Sequence, residues 1–536
     1  MMNWQWRMCV AGAAVACVSA VASADDFAVT FSEDAAAEPQ AGRVILFFAP
    51  DEPRWRRIQP ASGPFWHSPQ PIASIPVDGL EPGETVRFSD AGAGELAAFP
   101  GPPHELEGPW RVQAVLDRAD RVDRSHRAPG NWHSDVESVD LTPGRDGTVT
   151  LTIDQEIEEP TADDSRHDNL EYVEIRSELL SEFYGRDVHL RAGVALPRGY
   201  DDEDSDRTHW PVLYRIPSFG DTHTRAERWA QILATTMEEV TPQTVIVVLD
   251  PESPLGHHGF VDNANHGPRG RALVEELIPH LEEEYRLVDE PTGRILTGHS
   301  SGGWSALWLQ MQWPDVFGAC WASSPDPVDF SAFQKSDIYE DESMFTDAGG
   351  ELRPAFRQPT RQGGFEVAMT VEQEVGMERA IHPLGGSGQQ WDTWRAMFSP
   401  PDDETGFPNL MFDSTTGAID RDVAEHWKAF DIARLVDEDW STYGPIITQR
   451  VRLACGRWDE YYLHHAVENL KEVVESHHGE SVARSGGPHD AHDANDHDWG
   501  YIWLLDHATH SNIHNFITPR WNEEMRRYLR EHGHHD

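Results

Sequence analysis

The 536-residue sequence has almost no lysine. Of its 43 basic residues only three are lysines, at positions 335, 428 and 471, whereas 92 residues are acidic and the formal net charge is −49. So negative a surface repels the phosphates of nucleic acids and of anionic membranes, and we expect no partner of either class. Because dissolved salt screens this self-repulsion, the composition favours a protein adapted to high salt.

Cysteine is also scarce. Two of the four cysteines, Cys9 and Cys17, fall in an apolar N-terminal segment, and only Cys320 and Cys455 follow it. This number excludes a disulfide framework and a zinc site built from cysteines. A disulfide could join Cys320 and Cys455, which lie in predicted strands that could be neighbours. We favour buried free thiols, because the geometry of a disulfide is narrow.

Long apolar runs are missing, with the single exception of Met8–Ala22. This run follows Arg7 and ends at an Ala-Ser-Ala site at residues 22–24, the pattern of a signal peptide cleaved after Ala24. It is too short and too rich in alanine for a membrane-spanning helix. We therefore predict that residues 1–24 are removed and that the protein is periplasmic or secreted, with no membrane span. A lipid anchor on Cys17 is the alternative.

Two regions follow the predicted signal peptide. Residues 25–155 contain short alternating runs, such as Val44–Phe48, separated by Pro and Gly, which predicts a small β-sandwich domain. In residues 156–536 strands alternate with helices, which predicts an α/β domain with a mostly parallel sheet. The interval 326–445 interrupts this alternation and is too long for a loop, so we interpret it as a lid or subdomain over the strand ends.

The most informative motif is Gly298-His299-Ser300-Ser301-Gly302. It lies between a predicted strand and a predicted helix, the context of the nucleophile elbow of an α/β-hydrolase. Because the turn is tight, a side chain at Gly298 or Gly302 would collide with the neighbouring strand or helix. The helix N-terminus behind the serine favours developing negative charge. The motif therefore predicts that Ser300 is a catalytic nucleophile.

Hydrolases of this fold carry the acid and the histidine after the serine, in that order. Asp459 follows a predicted late strand and is our candidate acid, with Glu460 as the alternative. The histidine is expected on a loop near the C-terminus, where we favour His510 over His507 and His514. In these roles Asp459 would orient the imidazole, and His510 would take and return the serine proton.

An oxyanion hole needs two backbone N–H groups. One should come from the residue after the nucleophile, Ser301, and the other from the loop after an earlier strand. The segment 216–221 occupies that position, and Phe219 is the expected donor.

These motifs resemble a known family. Tyr214–Gly220, the Gly-His-Ser-Ser-Gly-Gly elbow and Gly456–Asp459 are similar to the putative esterase branch of the α/β-hydrolases, which contains esterase D-like and enterochelin esterase-like proteins. The resemblance spans residues 185–325 and 446–530, and the sequence is similar in particular to exported bacterial members with an N-terminal β domain. It implies a serine carboxylic-ester hydrolase without a metal or other cofactor. One departure is that Pro217-Ser218 stands where the family usually has His-Gly.

Candidate substrate contacts lie beyond the triad. The loop Gly256–Pro268 follows a strand and should reach the rim of the site, where four side chains could bind polar substrate groups: His257, His258, Asn263 and Asn265. The alternative is a polar loop made rigid by Gly and Pro. Trp391 and Trp394 could stack on a sugar or an aromatic acyl group, but aromatics at this spacing are more often a buried helix face.

The segment His489–Asp498 alternates histidine and aspartate and could bind a divalent ion, although a solvated loop is the interpretation that we favour in so acidic a chain. We predict no metal. The sequence as a whole predicts an exported serine esterase that acts on carbohydrate-linked or small natural esters through an acyl-enzyme. Two alternatives remain, a carbohydrate-binding or scaffold protein with a degenerate hydrolase fold, which Pro217-Ser218 motivates, and a serine peptidase.

Overall fold

The computed structural model describes residues 26–534 apart from 66, 93, 119–125, 142–146, 159–166, 202–207, 236–240 and 479–499. The predicted signal peptide and the segment His489–Asp498 therefore lie outside the described residues. Among the described helices, none combines the length and the apolar composition that a bilayer-spanning helix needs.

Within the described residues, nine strands form an N-terminal sheet: β1 Asp26–Phe31, β2 Gln40–Pro50, β3 Ile72–Leu80, β4 Thr85–Arg87, β5 Ala97–Phe99, β6 Gly108–Arg118, β7 Trp132–Ser134, β8 Glu137–Leu141 and β9 Thr148–Glu156. We expected two sheets, but hydrogen bonds connect these strands into one. The connection is continuous because the long strand β6 pairs with β8 along its first half and with β7 along its second. The sheet curls so that the apolar faces of β1 and β2 meet, and the rings of Phe27 and Phe48 lie edge to face at 5.3 Å. One core is thus enclosed without a break in the sheet.

In the part of the chain that the structure describes, eight further strands form the central sheet: β10 Leu170–Arg176, β11 His189–Ala195, β12 Val212–Ile216, β13 Val245–Leu249, β18 Arg294–His299, β19 Ala319–Ser323, β22 Val451–Gly456 and β23 Tyr501–Leu505. Their order is β10-β11-β13-β12-β18-β19-β22-β23. The first two pairings in this order are antiparallel, and the other five are parallel. The strands β13 and β19 are buried along their whole length, as is typical of parallel strands covered on both faces.

Short strand pairs lie between these strands: β14 Glu252–Ser253, β15 Gly256–His257, β16 Asp262–Asn263, β17 Gly267–Pro268, β20 Pro354–Pro359 and β21 Phe365–Thr370. The helices are α1 Glu178–Tyr184, α2 Ala226–Leu233, α3 Arg269–Ala272, α4 Ile278–Glu284, α5 Ser301–Gln312, α6 Val371–Ile381, α7 Gln390–Phe398, α8 Arg421–Trp427, α9 Ile432–Glu438, α10 Trp440–Arg450, α11 His464–His478 and α12 His514–Glu531. Helices α2 and α12 cover one face of the central sheet. Helices α4, α5 and α11 cover the other face.

The interval 326–445 packs against both sheets. Helix α6 lies on strands β3 and β5 of the N-terminal sheet, where Met377 and Ile381 meet Phe47. Helix α7 belongs to the core of the central sheet, and the ring of Phe398 lies 5.1 Å from that of Trp304 in α5. This interval therefore joins the two sheets through shared apolar cores.

Cys320 and Cys455 are both buried free thiols, as we favoured from the sequence. They lie in the adjacent strands β19 and β22. Burial raises the pKa of both thiols, which keeps them protonated and unreactive.

Candidate active site

Ser300 occupies a sharp turn between strand β18 and helix α5. Its backbone has φ 58° and ψ −128°, a left-handed conformation that non-glycine residues rarely adopt and that costs about 1–3 kcal/mol. A Cβ at Gly298 would lie 1.9 Å from the carbonyl oxygen of Gly302, and one at Gly302 would lie 2.2 Å from that of Ile216. The expected need for glycine at both positions is therefore confirmed.

Hydrogen bonds hold this strained residue from two sides. The Ser300 N–H donates to the carbonyl oxygen of Ser323 at the end of β19 (3.0 Å). The Ser300 carbonyl oxygen accepts from the N–H groups of Trp304 (3.0 Å) and Asp326 (3.2 Å). The side chain of Ser300 is half-buried at the carboxyl end of the parallel strands.

Asp459 and His510 come together across two neighbouring loops. Asp459 follows β22 and is fully buried, and its Oδ2 lies 2.8 Å from Nδ1 of His510. The other oxygen, Oδ1, accepts from the N–H groups of Tyr461 (2.9 Å) and Leu463 (3.3 Å). With Nδ1 as the donor to Asp459, the Nε2 atom of His510 is the nitrogen available to accept a proton.

The electrostatics of the pair follow from its burial and its partners. Burial acts to raise the pKa of Asp459, but His510, the N–H of Tyr461 and His464 together outweigh it, so the pKa of Asp459 lies below its ordinary value. Burial acts to lower the pKa of His510, but the carboxylates of Asp459, Glu460 and Asp326 outweigh it and raise that pKa. Each partner thus favours the charged form of the other, as an acid–imidazole pair requires.

The other candidates are placed differently. Glu460 accepts a hydrogen bond from the backbone N–H of His510, so it fixes the loop rather than the imidazole. His507 is exposed and its ring packs on Trp458. His514 starts α12, with a pKa lowered to about 4 by burial and nearby arginines. Of the three histidines, the structure brings His510 alone into contact with Asp459 within the described residues.

His299 connects the pair to the elbow. Its ring centroid lies 4.4 Å from that of His510 and 4.6 Å from that of His514, and its Nδ1 lies 3.0 Å from Oγ of Ser323. Because His299 immediately precedes Ser300, this contact brings the imidazole of His510 next to the elbow. Sequence reasoning did not identify this role of His299.

The two expected oxyanion donors lie on elements that touch. Ser301 begins α5, where the first N–H groups have no partner within the helix. The loop that carries the half-buried Phe219 packs on the same helix end, because Gly302 lies directly against the carbonyl oxygens of Ile216 and Pro217.

The Pro217-Ser218 pair, where the sequence departs from the family pattern, is anchored on both sides. Ser218 Oγ donates to the carbonyl oxygen of His299 (3.0 Å). The Nε2 atom of His257 lies 3.1 Å from the carbonyl oxygen of Pro217, and its Nδ1 accepts from the N–H of Gly259. Burial lowers the pKa of His257 to about 4, so the ring is neutral and can hold both bonds. Local hydrogen bonds therefore hold Pro217-Ser218, the pair at which the sequence departs from the family pattern.

The four side chains that we predicted to contact the substrate all have partners within the protein. His257 and His258 are both buried, and Nδ1 of His258 accepts from the N–H of Phe260. The amide nitrogens of Asn263 and Asn265 donate to carbonyl oxygens at the C-terminal end of α7. These four side chains hold the loops and the interval 326–445 together, and their contact with a substrate stays a prediction.

Trp391 and Trp394 are also buried, as the helix-face interpretation expected. Their rings pack against each other at 4.9 Å. The indole N–H of Trp394 donates to Oδ2 of Asp326 (2.9 Å). Asp326 was missed from the sequence, although it follows β19, the strand beside Ser300, at the sheet edge where ligands of α/β proteins bind.

Comparisons with known proteins identify the family of the chain. A family model described as putative esterase matches residues 181–506, more than half of the chain. No curated protein matches the chain in sequence.

Similar solved structures include three hydrolases. A ferulic acid esterase is 14% identical, with a TM-score of 0.38 over 67% of this chain and 97% of its own. A fluorophosphonate-binding serine hydrolase from Staphylococcus aureus is 11% identical, with a TM-score of 0.35 over 66% of this chain and 97% of its own. An S-formylglutathione hydrolase from Agrobacterium tumefaciens is 14% identical, with a TM-score of 0.34 over 67% of this chain and 94% of its own. The family match establishes that the chain belongs to the putative esterase family and is an esterase with an α/β-hydrolase type of fold.

Proposed function

We propose that the protein is an exported serine esterase in which Ser300, His510 and Asp459 form the catalytic triad. The observation that carries the proposal is the 2.8 Å contact between His510 Nδ1 and Asp459 Oδ2, with the His510 ring beside the strained elbow. Membership of the esterase family supports the reaction class.

In the first half-reaction, Oγ of Ser300 attacks the ester carbonyl carbon while Nε2 of His510 takes the hydroxyl proton. Asp459 holds the imidazole and stabilises the imidazolium that forms. When the tetrahedral intermediate collapses, the C–O bond to the alcohol breaks and His510 returns the proton to the leaving oxygen. The product of this step is an ester between the acyl group and Ser300.

The negative charge of the tetrahedral intermediate falls on the former carbonyl oxygen. Two backbone N–H groups, those of Ser301 and Phe219, would donate to it. Their elements are held in contact by Gly302 and by the anchors on Pro217 and Ser218. Such preorganised donors are worth about 10²–10³ in rate each.

In the second half-reaction, water attacks the acyl-enzyme. His510 accepts a proton from the water, the bond between the acyl carbon and Ser300 Oγ breaks, and the proton returns to Ser300. The acid is released and the enzyme is restored.

The proposed substrate class follows from the predicted export of the protein. The predicted signal peptide, residues 1–24, would deliver the enzyme outside the cytoplasm, and its proposed substrates are carbohydrate-linked or small natural esters. A panel of acetyl, feruloyl and longer-chain esters, each linked to a sugar or to a simple alcohol, would rank these groups by kcat/KM. Uniformly low values for all carbohydrate-linked members would contradict this part of the proposal.

The triad is tested with Ser300→Ala. We expect loss of p-nitrophenyl acetate hydrolysis by at least about 10⁴-fold with unchanged thermal unfolding, because the nucleophile alone is removed. Ser441→Ala, at an exposed helix start in the interval 326–445, is the matched control and should retain wild-type turnover. Unchanged turnover in folded Ser300→Ala would refute the assignment. A wild-type protein that folds but cleaves no ester would favour a binding protein, and preferential cleavage of peptides would favour a peptidase.

A further inference from the structure

Asp326 contacts the nucleophile elbow through both its backbone and its side chain. Its N–H donates to the carbonyl oxygen of Ser300 (3.2 Å), and its Oδ2 accepts from Oγ of Ser301 (2.7 Å). The same oxygen accepts from Nε1 of Trp394 (2.9 Å) and from Nε2 of Gln390 (3.4 Å), both in helix α7. One residue thus connects the elbow to the interval 326–445, of which it is the first member.

The peptide group between Ser300 and Ser301, which Asp326 contacts, takes part in the proposed reaction. The carbonyl of Ser300 and the N–H of Ser301 belong to one peptide group, and that N–H is an expected oxyanion donor. A hydrogen bond to the carbonyl oxygen polarises the group and strengthens its N–H as a donor. The bond from Ser301 Oγ to Asp326 fixes the orientation of the same residue.

The Asp326 side chain is only 3% exposed, so its contacts are not exchanged with water. Burial raises its pKa, while the donors Ser301 and Trp394 and the nearby His510 act in the opposite direction. With three N–H or O–H donors aimed at one oxygen, we expect the carboxylate form over the active pH range.

We propose that Asp326 is a positioning residue, which holds the peptide group between Ser300 and Ser301 in its oxyanion-binding orientation and fixes helix α7 against the elbow. The proposal rests on the proposed esterase function. The interval 326–445 would then help to position an oxyanion donor, in addition to joining the two sheets.

The charge of Asp326 also reaches the general base. His510 is faced by Asp459, Glu460 and Tyr461 of the acid loop, by His299 of β18, by His514 of α12 and by Asp326. Asp326 is one of three carboxylates that favour the protonated form of His510. Removing its charge should therefore let His510 lose its proton at a lower pH.

Two substitutions separate position from charge. Asp326→Asn keeps an acceptor oxygen for Ser301 and Trp394 but removes the charge, so kcat should stay within about fivefold of wild type while the acidic limb of kcat/KM moves to lower pH. Asp326→Ala removes both the acceptor oxygen and the charge. We then expect kcat to fall by about 10²-fold, as for a lost oxyanion contact, with KM within about threefold of wild type. Asp413→Asn, in an exposed turn of the same interval, is the control that should leave kcat and the pH profile unchanged.

Ser301→Ala keeps the test decisive if Asp326→Ala does not fold. It removes the hydroxyl that donates to Asp326 but leaves the Ser301 N–H, and kcat should fall by about tenfold. The proposal is overturned if Asp326→Ala or Ser301→Ala keeps kcat within twofold of wild type, or if Asp326→Asn leaves the acidic limb in place. A wild-type enzyme that Ser300→Ala does not inactivate would instead refute the proposed function, so the two failures are distinguishable.

Discussion

A methyl group added at Gly302 is the smallest change that should disturb the elbow without touching a reacting atom. The Cβ of an alanine would lie 2.2 Å from the carbonyl oxygen of Ile216 and 2.5 Å from that of Pro217. Carbon and oxygen atoms of this kind normally stay about 3.3 Å or more apart. Both neighbours are backbone atoms, so the start of α5 must move by about 1 Å away from the loop 216–221 that carries Phe219.

That displacement separates the two expected oxyanion donors, Ser301 on the helix and Phe219 on the loop. A misplacement of about 1 Å at a reacting centre costs about 10²-fold in rate, or about 2.7 kcal/mol of transition-state stabilisation. We therefore expect Gly302→Ala to lower kcat about 100-fold. Because the same overpacking costs about 1–3 kcal/mol of folding free energy, the enzyme should still fold.

Steady-state hydrolysis of p-nitrophenyl acetate gives kcat and KM, and urea unfolding gives the stability. Gly349→Ala is the control, since this glycine is exposed, has no positive φ, and a Cβ there meets only the end of the Asp347 side chain. Folded Gly302→Ala with kcat within threefold of wild type would refute the reasoning, because the loop and the helix could then separate without effect on the reaction.

Three further predictions address the acid, the base and a buried carboxyl group. Asp459→Asn should lower kcat by roughly 10⁴-fold, because an amide cannot stabilise the imidazolium; a loss below tenfold in steady-state assays would contradict this role. His510→Ala should abolish ester hydrolysis while His507→Ala retains it, and the reverse result would move the base to His507. Glu374 is buried in α6, which raises its pKa from 4.5 to about 8, so between these values only the folded state keeps the proton. Its contribution to the free energy of unfolding should therefore fall by up to about 1.4 kcal/mol per pH unit as pH rises, and urea unfolding of Glu374→Gln should lack this slope.

The sequence alone led to the elbow and to its two candidate partners because these depend on local pattern and chain order. Two glycines around Ser300 between a strand and a helix predict a tight turn, and the close approaches at Gly298 and Gly302 explain why. Asp459 and His510 each follow a late strand of the central sheet, at the edge where parallel strands end together.

Local pattern and chain order could not predict the roles of Asn263, His257 and Asp326, because the partners of these residues are distant in the chain. Asn263 binds the end of α7, more than 130 residues later. His257 holds a carbonyl oxygen 40 residues earlier. A polar residue after a strand looks the same in sequence whether it faces a substrate or satisfies a buried carbonyl group. The packing of the interval 326–445, which supplies such partners, decides between the two.

Covalent labelling tests the central claim most directly. The full-length protein is treated with a fluorophosphonate probe, ester hydrolysis is followed, and the modified peptide is identified by mass spectrometry, with Ser300→Ala and Ser441→Ala treated in parallel. We expect one adduct, on Ser300, with activity lost in proportion to labelling, no adduct in Ser300→Ala and full labelling of Ser441→Ala. A folded wild-type protein that hydrolyses esters but carries no adduct on Ser300, or carries it on another residue, would contradict the assignment of Ser300 as the nucleophile.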